Sequence, residues 1–302
     1  RRFPVLVYHT SGYFTYEAGW RTALSQFFPA LKADVYLNYW LGAAPMEALL
    51  TLGRVLQRDW GMSYVDTINN KYEPDNDELP SGPGATPYAT DLVPRATALT
   101  GQPGIFGWYT ADERTAQATW GTWAQRELLR GVAPDLPSLI VQGNLPLPQL
   151  TDELPLWRDM GDILGVDPYP CRSNNRNLDG THKLEEVADW VLAAVAAVHG
   201  ARPVWAILQF WGGGAWQWPT EEQLRSMTWI AVCAGATGIG YWSLGALGHA
   251  YLPEPQRTQA FESLVRVVNE LKSYELQLLG EKVAPPALPA DILGIARRRP
   301  PE

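Results

Sequence analysis

At 302 residues, with 46% hydrophobic and 19% charged side chains, the chain has ample apolar surface for a sizeable core, and this composition excludes disorder. A formal net charge of −8 opposes the Lys- and Arg-rich contacts that a phosphate backbone requires, so nucleic acid is not an expected partner and an uncharged substrate is the simpler expectation. The longest apolar run, near Trp190 to Val198, is too short and too Ala-rich to span a bilayer, and Cys171 and Cys233 form no zinc-ligand spacing.

Short β-branched or aromatic runs recur along the chain, each followed by a segment of helical period, the pattern of a parallel sheet closed by outer helices. Arg1-Arg2-Phe3-Pro4 leads almost at once into the first strand, with no initiating Met, which fits a cleaved leader or a trimmed chain; secretion or a periplasmic location is the expectation. Strand 4–9 is followed by helix 16–31, strand 34–39 by helix 45–59, strand 61–66 by helix 91–99 and strand 104–109 by helix 114–131. Strand 138–142 then precedes helix 148–160, strand 162–167 helix 183–199, strand 204–209 helix 221–234, and strand 237–242 helix 255–279. Thr220-Glu221-Glu222-Gln223 fits a capping box, and Gly200 after His199 a helix stop.

Strand–helix repeats in this number predict an α/β fold, a (β/α)8 TIM barrel over residues 1–280, with 281–302 as a C-terminal extension. The longest interval between strands, from Asp66 to Gly104, holds Asn69 to Asp77 and follows a strand's C-terminal end, where a substrate rim or lid is expected. After Gly280 the tail carries Pro285, Pro286 and Pro289, then the apolar run 292–296 ending in Arg297-Arg298-Arg299. It reads either as the start of a β-domain or as an extension lying along the N-terminal strand.

Chemistry in such a barrel sits at the C-terminal strand ends, which here present His9, Asn38, Asp66, Asp112, Glu113, Asn144, Asp167, Tyr169, Gln209 and Ser243. The sharpest signal is Gly107-Trp108-Tyr109-Thr110-Ala111-Asp112-Glu113-Arg114, where two carboxylates follow an apolar strand. Buried like charges raise a pKa, as a general acid at neutral pH requires. The competing reading makes Asp112 a helix cap and Glu113 a first-turn residue. Fourteen Trp against seven Phe is unusual, because bulk alone is met by Phe or Leu, whereas Trp stacks on sugar faces. Tyr169, Trp211, Trp216, Trp218 and Trp242 fall at or beyond strand ends; Trp108 and Trp205 lie earlier in their strands and are expected in the core.

The fourth-strand segment ending in Asp112-Glu113 resembles that of the glycoside hydrolase barrels, clan A and its distant relatives, whose fourth strand ends in a Trp-rich segment and Asn-Glu or Asp-Glu. Gly165-Val166-Asp167-Pro168-Tyr169-Pro170, Leu208-Gln209-Phe210-Trp211-Gly212 and Gly235-Ala236-Thr237-Gly238-Ile239-Gly240-Tyr241-Trp242-Ser243 are similar to later strands of the same group, over roughly residues 4 to 250. The resemblance implies hydrolysis of a glycosidic bond in an oligo- or polysaccharide, with Glu113 as acid. It implies a strand-seven nucleophilic Glu as well, and this chain has Gln209 there.

Three partners for Glu113 stay open: Asp167 as base for an inverting water, Asp112 orienting a substrate acetamido group as in hexosaminidases, or Asp66. His9, Asn38, Asp66, Tyr169, Gln209, Trp211 and Trp242 are the expected substrate contacts. A glycan-binding barrel without catalysis is the rival function; a lyase, which needs basic residues near its site, ranks last because only Arg114 and Arg172 lie close to strand ends. No dinucleotide fingerprint, P-loop, nucleophile elbow or His-rich metal motif occurs, so neither cofactor nor metal is expected.

Overall fold

A computed structural model describes residues 2–9, 28–68, 91–143, 145–248, 253, 255–283 and 296–298. Eight parallel strands close a barrel in the order β1 to β8. They are β1 Val5–His9, β2 Val35–Asn38, β3 Ser63–Asp66, β4 Ile105–Asp112, β5 Ser138–Gln142, β6 Ile163–Val166, β7 Val204–Gln209 and β8 Gly238–Trp242. Closure comes from β1 pairing with β8, Val5 opposite Ile239 and Val7 opposite Tyr241.

Both faces of each strand are covered, which is why the strands read as near-continuous apolar runs rather than as alternating ones. Inside the barrel, Leu6, Val35, Leu37, Val65, Leu139 and Val141 are packed together, above Phe106 and Trp205, whose rings lie 5.5 Å apart at the N-terminal end. Tyr8, Tyr39 and Tyr109 complete this inner core towards the C-terminal end. The outer layer joins the opposite strand faces to the helices and holds Val7, Tyr36, Trp108, Trp157 and Tyr241. Trp108 and Trp205 are thus both core, one on each side of the sheet.

The described helices are α1 Met46–Val55, α2 Val93–Leu99, α3 Thr119–Val132, α4 Leu147–Trp157, α5 Glu186–Val198, α6 Glu221–Ala234, α7 Gln256–Ser273 and the short α8 Glu275–Leu278. The capping box at α6 forms: Gln223 N–H donates to Thr220 Oγ1 at 3.3 Å and Thr220 N–H to Gln223 Oε1 at 2.9 Å. At the end of α5 the left-handed turn begins one residue before the expected Gly200, at His199 with φ 49°.

The largest departure from expectation follows β4. The helix anticipated from residue 114 begins only at Thr119, because β4 continues through Asp112 and a short 3-10 turn, Ala116–Ala118, intervenes. Of the tail, the described residues form an antiparallel ribbon, β9 Glu281–Val283 with β10 Ala296–Arg298. Helix 16–31 up to residue 27, the insert 69–77, Asn144 and the apolar tail up to residue 295 lie outside the described residues.

Candidate active site

The site is built where β4, β5 and β6 end. Tyr109 pairs with Leu139 and Ala111 with Ile140, so Thr110 is an extra residue in β4. This bulge breaks the two-residue alternation and puts Tyr109 and Asp112 on the same inward face. Tyr109 Oη donates to Asp112 Oδ1 at 2.6 Å, and the Tyr39 hydroxyl bonds the same carboxyl. Burial outweighs these two bonds and, with the charge of Glu113, pushes Asp112 up to about 6.

Glu113 follows at φ 49°, a left-handed conformation that a residue with a side chain seldom takes, with its N–H bonded to Val141 O at 2.8 Å. It is exposed at the cleft. Neither Asp112 nor Glu113 is a helix cap or first-turn residue, because α3 starts well beyond them.

Asp167, one residue past β6, is 6% exposed. An added Cβ on Gly143, at the end of β5, would lie 1.7 Å from Asp167 Oδ1 and 2.8 Å from Glu113 Oε1. Both oxygens therefore sit around one point and are at most 4.5 Å apart, the two distances taken end to end. Asp167 Oδ1 is buried and accepts no hydrogen bond from any described donor. Burial first, then the charges of Glu113 and Asp112, raise Asp167 well above the usual carboxylate range, against a bond from Tyr169. The expectation of a water activated by Asp167 carries a separation of roughly 6.5–9.5 Å between the carboxyl groups, longer than this approach of one oxygen from each.

Tyr169, Trp211 and Trp242 gather as expected positions at the same mouth. Tyr169 stacks on Trp242 at 5.9 Å and meets Trp211 edge-on at 6.1 Å; Trp211 lies 5.1 Å from Trp216. A cavity of about 710 Å³ runs from Glu113 and Asp167 past Tyr169 and Trp216 to Arg172 and Glu186, where Arg172 Nη2 holds both Glu186 oxygens at 3.0 and 2.9 Å. Trp218 turns away, edge-on to Phe210 at 5.5 Å.

Four expected contacts are placed elsewhere. His9, Asn38 and Asp66 end β1, β2 and β3, but Tyr8, Leu37 and Val65 take the inward positions beside them, so all three have helix-facing parity and are buried. Asn38 Nδ2 donates to Tyr36 Oη at 3.0 Å, and the His9 ring lies 6.5 Å from that of Tyr36. Asp66 is clamped by Arg95, Nε to Oδ2 at 2.6 Å and Nη2 to Oδ1 at 2.7 Å, which removes it as a partner for Glu113. Gln209 faces inward, but its amide is taken by loop backbone.

Sequence reasoning missed the three tyrosines under Asp112, and it missed Gly143. For Tyr8 and Tyr39 a signal existed, since each is next to a strand-end polar residue that was singled out; one step of alternation makes the tyrosine the inward residue. Burial keeps the hydroxyls of Tyr8, Tyr39 and Tyr109 protonated, and those of Tyr39 and Tyr109 bond Asp112. Among the described residues no group of His, Cys, Asp and Glu side chains is arranged to hold a metal ion, and no helix is long and apolar enough to cross a membrane. Cys171 and Cys233 are not joined by a disulfide.

No protein-family model matches this sequence, and no curated protein matches it. Solved structures do. A β-galactosidase from the psychrophilic Marinomonas ef1 aligns at TM-score 0.62 and 12% identity over 89% of this chain, which spans 59% of that longer chain. The fold is that of the glycosidase barrels. A putative α-L-fucosidase from Bacteroides thetaiotaomicron gives TM-score 0.60 at 10% identity, over 87% of this chain and 95% of that one. A β-glucanase from Saccharophagus degradans, solved with cellotetraose, gives TM-score 0.58 at 15% identity, over 89% and 88%. At these identities the likeness concerns the (β/α)8 barrel, and what the barrel does must be argued from its own residues.

Proposed function

We propose that this chain hydrolyses glycosidic bonds in an oligo- or polysaccharide, with the Glu113–Asp167 carboxyl pair as its reacting centre. The observation that carries the reading is the close approach of the two carboxyls over Gly143, in a cleft lined by Tyr169 and Trp216, against which Trp211 and Trp242 pack. Two carboxyls this close hold one proton between them, and so supply together the acid and the carboxylate that glycoside cleavage needs. Glu113, exposed at the rim, passes the shared proton to the leaving oxygen. Asp167 is then a bare carboxylate facing the sugar carbon, and the bond that breaks at that carbon is replaced by an ester that water later hydrolyses, Glu113 taking the water's proton.

Such a pair belongs with the retaining arrangement, whose carboxyls stand about 5–5.5 Å apart, and retention of configuration is the expected outcome. The aromatic faces suit sugar rings, whose C–H surfaces stack on Tyr and Trp. A second reading has its own observation: Asp112 is fixed by Tyr109 and Tyr39 directly beside Glu113. There it would orient a substrate acetamido group that attacks in place of Asp167.

Glu113→Gln is expected to lower turnover of glycosides with poor leaving groups by about 10²–10⁴-fold, while dinitrophenyl glycosides, whose leaving group needs no proton, are largely spared. Asp167→Asn abolishes both if Asp167 forms the ester; if it does not and Asp112→Asn does, on acetamido sugars alone, the second reading holds. Normal turnover of poor leaving groups by Glu113→Gln overturns the assignment, and glycan binding without any hydrolysis by the native chain makes the barrel a binding protein.

A further inference from the structure

Gln209 ends β7 on the inward face, where the family resemblance implies a nucleophilic Glu, and its amide is fully occupied. Nε2 points at three carbonyl oxygens, those of Trp211 and Gln217 at 3.0 Å each and that of Cys171 at 3.4 Å, while Oε1 accepts from Cys171 N–H at 2.9 Å. The side chain is 0% exposed. Its partners belong to two loops, one leaving β6 and one leaving β7. The loops are also stitched directly, Gln217 N–H to Cys171 O at 2.7 Å and Ser173 N–H to Ala215 O at 2.8 Å. The first loop carries Tyr169 and Arg172, the second Trp211 and Trp216, so Gln209 lies behind the aromatic wall of the cleft.

We infer that Gln209 is a positioning residue: its amide sets the spacing of the two loops and, through them, the placement of Tyr169 and Trp216, the aromatic side chains that line the cleft. The clamp stands on hydrogen bonds alone, whereas its effect on a sugar rests on the glycosidase reading. A glutamate here is not a restored nucleophile. Glu has no N–H to offer, so three carbonyl oxygens would face a carboxylate, acceptor against acceptor, in a buried place. The charge must then leave the pocket and the loops separate, or the carboxyl stay protonated with one hydrogen for three acceptors.

The test uses the full chain with Gln209→Ala and Gln209→Glu. Hydrogen exchange read by mass spectrometry is expected to be roughly 10- to 100-fold faster in peptides covering 170–176 and 211–217 of both variants, with α5 and α6 unchanged, as loss of one or two hydrogen bonds in a local opening predicts. On whichever para-nitrophenyl glycoside the native chain cleaves, KM rises by about tenfold or more while kcat stays within about threefold, since the carboxyl pair is untouched. Native protection of both loops in Gln209→Ala overturns the clamp. A Gln209→Glu chain with native kcat/KM overturns the argument against a nucleophile. If the native chain cleaves no glycoside, the proposed function fails, and the exchange measurement still decides the clamp.

Discussion

Gly143 has no side chain where one would occupy the point between the two carboxyls. No left-handed backbone demands glycine there; the requirement is space alone. Gly143→Ala is therefore expected to fold and to push Asp167 and Glu113 apart, lowering kcat by about 10²-fold or more because misplacement of an ångström is that costly. Activity near the native level would mean that the pair is not the reacting centre. Asp112 and Asp167 carry a second consequence. A carboxyl raised in the folded state binds its proton more tightly there than when unfolded, so its contribution favours folding at acid pH and is lost as pH rises. For Asp112 the loss runs from the usual carboxylate value, near 4, up to about 6. Asp112→Asn should thus be more stable than the native chain at pH 8, by at most roughly 3 kcal/mol, with the gain shrinking towards zero by pH 4. Urea unfolding at both pH values checks this, and equal stabilities throughout would deny the raised value.

Among the elements, β3 and α2 are joined through one ion pair. Arg95 binds both oxygens of Asp66 and also donates to Leu41 O at 2.7 Å and Ala44 O at 3.2 Å, so it fastens α2 to the connection after β2 as well. Its side chain is 9% exposed and that of Asp66 0%. Arg95→Met leaves an uncompensated buried charge and is expected to cost about 3–5 kcal/mol in denaturant unfolding, whereas Asp66→Leu with Arg95→Met recovers a large share. A single variant as stable as the native chain would show that Asp66 has another partner. The same pair explains why Asp66 cannot serve Glu113.

Across the molecule, the N-terminal end of the barrel is closed by a charged cluster. Lys272 of α7 meets Asp34 Oδ2 at 2.7 Å and donates to Phe3 O at 2.9 Å; Asp34 Oδ2 also accepts from Val5 N–H, and Glu275 Oε1 from Phe3 N–H, both at 2.9 Å. The first strand is thereby tied to the last helices. Lys272→Met is expected to lower stability by about 2–4 kcal/mol and Tm by several degrees, with kcat/KM unchanged where the chain remains folded. In this architecture the N-terminal face serves stability and the C-terminal face chemistry, and loss of activity at native stability would contradict that division.

From the sequence alone, the alternation of apolar strands with helical segments determined eight strands, their order and the end of the barrel that carries the polar residues, because periodicity reports burial within one element. It also singled out the Asp112-Glu113 turn and placed Asp167 and Tyr169 two residues apart at one strand end. Tertiary structure decided the rest. The pairing of β1 with β8 is a contact between distant segments, and no local pattern encodes it. The bulge at Thr110 puts Tyr109 and Asp112, three residues apart, on one face, where strict alternation would separate them. Strand-end position alone selects His9, Asn38 and Asp66, whose parity the packed inner core reveals. The register of a strand is set by the neighbour it bonds to and by what each face must bury, and both lie outside its own sequence.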